Sequence, residues 1–285
     1  MTVKRVGIVG SGIMGSGMAE VAAKAGIEVV LRSRKQETAD KTIAGLEKSL
    51  NKQVEKGRLS EEDRDGALQR VTGTSDLGDL AACDLVIESV VEDLATKKEL
   101  FNELDRICGE STILATNTST LPVIEMAMET GRPNKVCGIH FFNPAPMMSL
   151  VEVVRPLTAD DETIAEARAF AEACGKAPVE VKDQAGFIVN ALLFPYLNNA
   201  VRLLENGVAT REDIDEAMKG GCNFPMGPLA LLDLVGLDTS LAIIEALYAE
   251  FRDPNYAPVP LLKRMVAAEQ LGRKSGKGFY DYSKK

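Results

Sequence analysis

The sequence predicts an α/β fold, with a doubly wound and mainly parallel sheet over residues 1–185 and an all-helical domain over residues 186–285. Three observations lead there. A short β-branched run meets a glycine-rich turn, apolar runs of strand length are spaced by helical pattern, and strand pattern stops after Val179-Glu180-Val181. A chain of 285 residues is long enough for two ordinary domains, each with its own core.

Taken in order, residues 3–9 read as a first strand, 14–25 as a helix and 28–31 as a second strand, which is a βαβ start. Residues 85–88, 113–116, 136–141 and 150–154 are further buried-strand candidates with helical pattern between several of them. The polar segment 36–70 carries no strand pattern. In it Ile43, Leu46, Leu50 and Val54 recur at helical spacing, Lys41, Lys48, Lys52 and Lys56 take the opposite face, and Gly57 and Leu59-Ser60 stop one helix and start another. The expectation is an inserted helical hairpin that protrudes from the sheet. Its lysine stripe reads as a solvated face or as a landing strip for an anionic ligand. Beyond Gly186 the pattern is helical at 187–206, 211–219, 228–251 with a break, and 259–270.

Composition narrows the function classes. A net charge of −9 and the absence of tryptophan argue against nucleic acid as a partner. Cys83, Cys108, Cys137, Cys174 and Cys222 are odd in number and form no CxxC pair, which points to reduced thiols rather than disulfides or a metal site. The opening apolar run is too short for a signal peptide and no stretch reaches membrane-spanning length, so a cytoplasmic protein without a membrane partner is expected.

Gly10-Ser11-Gly12-Ile13-Met14-Gly15 is a G-x-G-x-x-G placed directly after a strand and opening a helix. The first glycine permits the tight turn, the second admits a pyrophosphate against the backbone, and the third allows close helix–strand packing. Gly10, Gly12, Ile13, Met14 and Gly15 are therefore expected to hold a dinucleotide, its phosphates on the helix N-terminus. An acid normally ends the second strand and binds the adenosine ribose diol. Here that strand runs Val29-Val30-Leu31-Arg32-Ser33-Arg34-Lys35. A carboxylate at position 33 would repel a ribose 2′-phosphate, whereas Ser33 can hydrogen-bond it and Arg34, Arg32 or Lys35 can pair with its charge. The turn predicts a preference for NADP(H) over NAD(H); the bland alternative is a solvated basic turn with NAD(H) still used.

The chain has a single histidine, His140, at the end of a buried strand and before a turn. Histidine moves protons near neutral pH in either direction, so any imidazole chemistry must use this residue, and otherwise it is a satisfied core side chain.

Several segments together resemble the 3-hydroxyacyl-CoA dehydrogenase family, bacterial 3-hydroxybutyryl-CoA dehydrogenases most of all, over essentially the full length. They are the glycine loop, Asn117-Thr118-Ser119-Thr120, His140-Phe141-Phe142-Asn143-Pro144, Pro225-Met226-Gly227-Pro228, and the run from Gly272 to Tyr280. The resemblance implies a Rossmann-type domain, a helical domain with a homodimer interface, and an acyl-CoA substrate. It makes His140 the catalytic acid–base and Glu152 its orienting acid, and gives Ser119 and Asn190 the substrate's oxygen functions. It implies Glu92, Lys97, Asn117, Asn143 and Lys274 around the cofactor, and Ser49 and Lys56 on the hairpin for the CoA moiety. Apolar positions such as Leu192, Leu193, Leu231, Leu232 and Leu234 make a dimer plausible. Two positions depart from the family pattern: Ser33 replaces an acid, and Thr120 replaces a second serine. The implied activity is interconversion of (S)-3-hydroxyacyl-CoA and 3-oxoacyl-CoA with a nicotinamide cofactor. The alternatives are an NAD-dependent β-oxidation enzyme of broader chain length, a dehydrogenase of carrier-protein thioesters, and a non-catalytic dinucleotide-binding protein.

Overall fold

Val6, Ile8 and Val9 of the first strand, β1 (Arg5–Val9), are completely buried, as a strand covered on both faces must be. The computed structural model describes residues 3–283, in one compact unit ending at Asp183 and a second beginning at Gln184. After β1 the first unit runs through α1 (Ile13–Lys24), β2 (Glu28–Arg32), α2 (Gln36–Glu55), α3 (Glu61–Gln69) and β3 (Val71–Thr74). It continues with β4 (Leu85–Glu88), α4 (Leu94–Ile107), β5 (Ile113–Thr116), α5 (Val123–Ala127), β6 (Val136–Phe141), β7 (Leu150–Arg155), α6 (Asp161–Ala173) and β8 (Ala177–Lys182). Eight strands form one sheet in the order β3-β2-β1-β4-β5-β6-β7-β8. Every pairing is parallel except β6 with β7. The order reverses between β1 and β4, the place where open sheets of this kind receive ligands beyond their carboxyl ends.

Two expectations change. Val71-Thr72-Gly73-Thr74, which carried no strand expectation, is the edge strand β3, pairing with β2. Its glycine masks the strand pattern but serves packing: a Cβ on Gly73 would stand 2.7 Å from Ile43 Cδ1, so the missing side chain lets α2 lie against the strand. The helical pair α2–α3 likewise does not stand clear of the sheet. Leu46, Leu50 and Ala67 belong to the same buried cluster as Val6, Ile8, Val29 and Leu31. The apolar stripe of α2 needs that cover, and only the face bearing Lys41, Lys48, Lys52 and Lys56 is left exposed.

The second unit holds α7 (Val189–Glu205), α8 (Arg211–Cys222), α9 (Pro228–Val235), α10 (Leu237–Phe251) and α11 (Pro260–Ala267). The break expected within 228–251 falls at Gly236, between α9 and α10. Phe194, Leu197, Leu229, Leu232, Ile244 and Leu262 form its core. Leu232 is thus a core residue rather than a surface one, while Leu192 is exposed. Asp215 accepts the backbone N–H groups of Leu229 and Ala230 at the start of α9, and Asp233 accepts those of Phe279 and Tyr280, pinning the last described turn. Burial raises the Asp233 pKa against those hydrogen bonds.

All five cysteines are free thiols and only Cys222 is exposed. Burial pushes the thiols of Cys83, Cys137 and Cys174 up to about 12 and that of Cys108 to about 11, so these four are packing groups rather than nucleophiles. Among the described residues no helix is long and apolar enough to cross a membrane.

Candidate active site

The turn from β1 into α1 has the geometry a dinucleotide needs. Gly10 donates its N–H to Arg32 O at 3.0 Å and sits at φ +122°, and a Cβ there would lie 2.2 Å from Ser89 O. A Cβ on Gly15 would lie 1.8 Å from Gly10 O, which is why the helix can approach the strand only with glycine at this place. Gly12 has no heavy atom within 4 Å of its Cβ direction, and no side chain caps α1. Ile13, Met14 and Gly15 therefore carry first-turn N–H groups that no side chain satisfies, a ready anion site. The loop borders a cleft of about 920 Å³, lined also by Ser33, Arg34, Lys35 and Thr38. Ser33 is buried, and its Oγ accepts a hydrogen bond from Ser11 Oγ at 2.9 Å. Arg34 and Lys35 are exposed, so the end of β2 presents two cations and no carboxylate.

His140 stands at the same edge. Val9, Glu88, Thr116 and Gly138 lie in one register row across β1, β4, β5 and β6, and His140 follows two residues beyond it toward the carboxyl end. The antiparallel turn to β7 puts Glu152 directly opposite His140. His140 Nδ1 is 2.8 Å from Glu152 Oε2, with both side chains buried. The tautomer with the proton on Nδ1 is the one that donates to a carboxylate here, and in it Nε2 presents a lone pair. Ser119 Oγ lies 3.0 Å from that Nε2. Imidazole, carboxylate and hydroxyl thus form one line, the arrangement that moves a proton to or from a substrate oxygen.

The other expected residues divide. Asn117 accepts the Phe141 N–H at 2.8 Å through Oδ1, so it fastens the strand end beside His140. Glu92 is exposed over 43% of its side chain, and through Oε1 it accepts the Ser119 N–H at 3.1 Å and the Thr118 hydroxyl. Asn143 is exposed on the turn after β6. Lys97 is 1% exposed on its side chain, and its ammonium faces Glu88 Oε1 at 2.8 Å, Glu88 Oε2 at 2.9 Å and Glu92 Oε2 at 3.1 Å. Ser49 donates to the buried Glu20 at 2.9 Å, and Lys56 is exposed at the end of α2. In the second unit Asn190 is buried in the first turn of α7, and Lys274 pairs with Asp238 at 2.5 Å. Glu88 was missed. The signal available was an acid closing an otherwise apolar strand.

A family model described as the NAD binding domain of 3-hydroxyacyl-CoA dehydrogenase matches residues 5–184, and one described as the C-terminal domain matches residues 186–282. A 3-hydroxybutyryl-CoA dehydrogenase of Mycobacterium tuberculosis is 49% identical over 282 residues, covering 98% of this chain and 99% of its own. One from Clostridioides difficile is 49% identical over 280 residues, covering 98% and 100%. The crystal structure of a (S)-3-hydroxybutyryl-CoA dehydrogenase from Ralstonia eutropha is 44% identical and matches with a TM-score of 0.97, covering 99% of this chain and 100% of that one. With both domain types matched in sequence order and near-half identity along the whole length, this chain belongs to the 3-hydroxyacyl-CoA dehydrogenase family.

Proposed function

We propose that the protein interconverts (S)-3-hydroxyacyl-CoA and 3-oxoacyl-CoA esters of short chain, 3-hydroxybutyryl-CoA and acetoacetyl-CoA above all. The observation that carries this reading is the line Glu152–His140–Ser119 at the carboxyl edge of a sheet whose first turn is built for a dinucleotide. A nicotinamide dinucleotide fits that turn by its glycines and by the uncapped start of α1, and it supplies the hydride acceptor or donor. The chain's own groups handle the proton. In oxidation His140 Nε2 takes the proton of the 3-hydroxyl as the C3 hydride departs, and the Glu152 carboxylate stabilises the resulting imidazolium. In reduction the imidazolium returns that proton to the forming alkoxide. Ser119 and Asn190 are assigned to the substrate oxygens, Glu92, Lys97, Asn143 and Lys274 to the nicotinamide end, and Ser49 and Lys56 to the CoA moiety.

The finer cofactor assignment is NADP(H) over NAD(H). It is supported by Ser33 in place of an acid and by the exposed Arg34 and Lys35 on the cleft. A spectrophotometric assay of acetoacetyl-CoA and longer 3-oxoacyl-CoA esters with NADPH and NADH tests activity, chain length and cofactor together. The expected result is turnover of acetoacetyl-CoA with a higher kcat/KM for NADPH. Ser33→Asp is expected to lower the NADPH value about a hundredfold through repulsion of the 2′-phosphate while sparing NADH. A parent enzyme that prefers NADH ends the cofactor assignment, and nucleotide binding without turnover ends the enzymatic one.

We also propose a cytoplasmic homodimer, supported for the pairing by the exposed Leu192, Leu203, Val208 and Phe224 of the second unit. Light scattering should return twice the chain mass, and a monomer at micromolar concentration overturns the pairing.

A further inference from the structure

We propose that the edge of the sheet where β1 and β2 begin holds a second anion site, in which Arg5 and Arg70 clamp a small phosphate-bearing anion. The site is separate from the dinucleotide turn and does not depend on the reading of the catalytic chemistry.

Three strand starts bring the two arginines together. Arg5 opens β1 and pairs in register with Glu28, which opens β2. Arg70 closes α3 and directly precedes β3, whose Val71 pairs with Val29. Arg5, Arg70, Gln69 and Thr72 line one cavity of about 310 Å³, with Glu28 and Gly66 also on its wall. The dinucleotide turn leaves β1 at the opposite end, about 13 Å away at the usual rise of a strand.

The protein neutralises neither guanidinium. Among the described residues the arginine ion pairs belong to Arg64, Arg132, Arg155 and Arg211, and not to Arg5 or Arg70. Arg70 reaches the Ala23 carbonyl through Nη1 at 3.3 Å, which leaves its Nε and Nη2 without a described protein partner. Arg5 Nε is shut off from solvent and has no hydrogen-bond partner. The acid nearby in sequence, Asp84, gives Oδ2 to the backbone N–H groups of Lys4 and Arg5 at 2.8 and 3.0 Å. Burial pushes the Cys83 thiol up to about 12 against the pull of Arg5, so that neighbour is neutral and supplies no counter-charge. Two unpaired cations on one cavity repel each other, and an anion between them removes the cost.

Gly66 is an independent sign. It lies inside α3, where glycine weakens a helix relative to alanine, and no backbone contact demands it. The atoms that a Cβ there would meet are Arg70 Nη1 at 3.4 Å, Nη2 at 3.6 Å and Cζ at 3.8 Å. The missing side chain therefore leaves the Arg70 guanidinium open to the cavity. Two planar forks can each take a pair of oxygens, more than one carboxylate offers and as many as a phosphate carries. Thr72 and Gln69 add a hydroxyl and an amide as further donors, and the exposed Glu28 accepts from a protonated phosphate oxygen or from the hydroxyl of an ester.

The test is a titration of the full chain with inorganic phosphate at constant ionic strength, followed through the Nε–Hε signals of ¹⁵N-arginine. The Arg5 and Arg70 signals, assigned with Arg5→Lys and Arg70→Lys, are expected to move together and saturate with a Kd of about 1 mM. Arg70→Met should weaken the phosphate Kd read at Arg5 about tenfold or more. Gly66→Leu fills the space before the guanidinium and should weaken it similarly, with Tm level or higher. Glycerol phosphate, titrated in parallel, separates the sources: tighter binding than phosphate means an ester, and weaker binding means the free ion. Shifts that grow without saturation, or that match those of the exposed Arg252, mean charge screening alone and overturn the site. Phosphate binding that survives either Arg70→Met or Gly66→Leu overturns it as well, because the anion would then sit elsewhere, as at the start of α1.

Discussion

Replacing His140 with glutamine lowers kcat by about 10²- to 10⁴-fold and leaves the nicotinamide Kd nearly unchanged. Glutamine approximates the size of imidazole and can still bond Ser119 or Glu152, but it cannot exchange a proton near neutral pH. Hydride transfer would then have to create a bare alkoxide or a protonated ketone. No second histidine is present to substitute. The cofactor turn is assembled from β1, α1 and β2, on the far side of β4 and β5 from His140, so binding and proton transfer should separate cleanly. Glu152→Gln should cost less, about tenfold to a hundredfold, since an amide still orients the ring through Nδ1 but no longer offsets the imidazolium charge. Stopped-flow transients with acetoacetyl-CoA, together with nucleotide titration by fluorescence, measure both quantities. Equal loss of nucleotide affinity in both variants would mean that the His140–Glu152 pair serves the fold and not the chemistry.

What was legible in the sequence was whatever backbone geometry or uniqueness made conspicuous. Gly10, Gly12 and Gly15 are demanded by approach distances near 2 Å or by open space, so their spacing carries the turn by itself. His140 stood out because it is alone. Glu152 came only through the resemblance, since its place opposite His140 depends on an antiparallel register that nothing local in the chain announces. Lys97 shows the opposite failure. From spacing alone it reads as a solvated residue at a helix start, yet its side chain is 1% exposed, because its partners Glu88 and Glu92 lie on the strand and loop before it. A buried ion pair is a tertiary event, and no periodicity encodes it. The edge strand β3 was hidden for a different reason: four residues with a glycine inside carry too little apolar pattern, and the strand exists because β2 offers it a parallel partner and α2 covers it.

Gly12→Ala should produce a protein that folds at least as well as the parent and has lost about thirtyfold or more in dinucleotide affinity. Gly12 sits at φ −72° and ψ −173°, an extended conformation that alanine adopts without strain, and its Cβ would meet no protein atom within 4 Å. Restricting the unfolded chain should therefore hold Tm level or raise it by a few degrees. The same methyl points into the open space before the uncapped start of α1, which is where a pyrophosphate must come within hydrogen-bond distance of the backbone. Gly15→Ala supplies the contrast. Its Cβ would collide with Gly10 O at 1.8 Å, so helix and strand must part, and both Tm and affinity should fall. Calorimetry with and without nucleotide distinguishes the two, because a bound ligand raises Tm only in a protein that still binds it. A Gly12→Ala variant that keeps full affinity would show that the phosphates lie elsewhere, since nothing in the protein itself resists that methyl group.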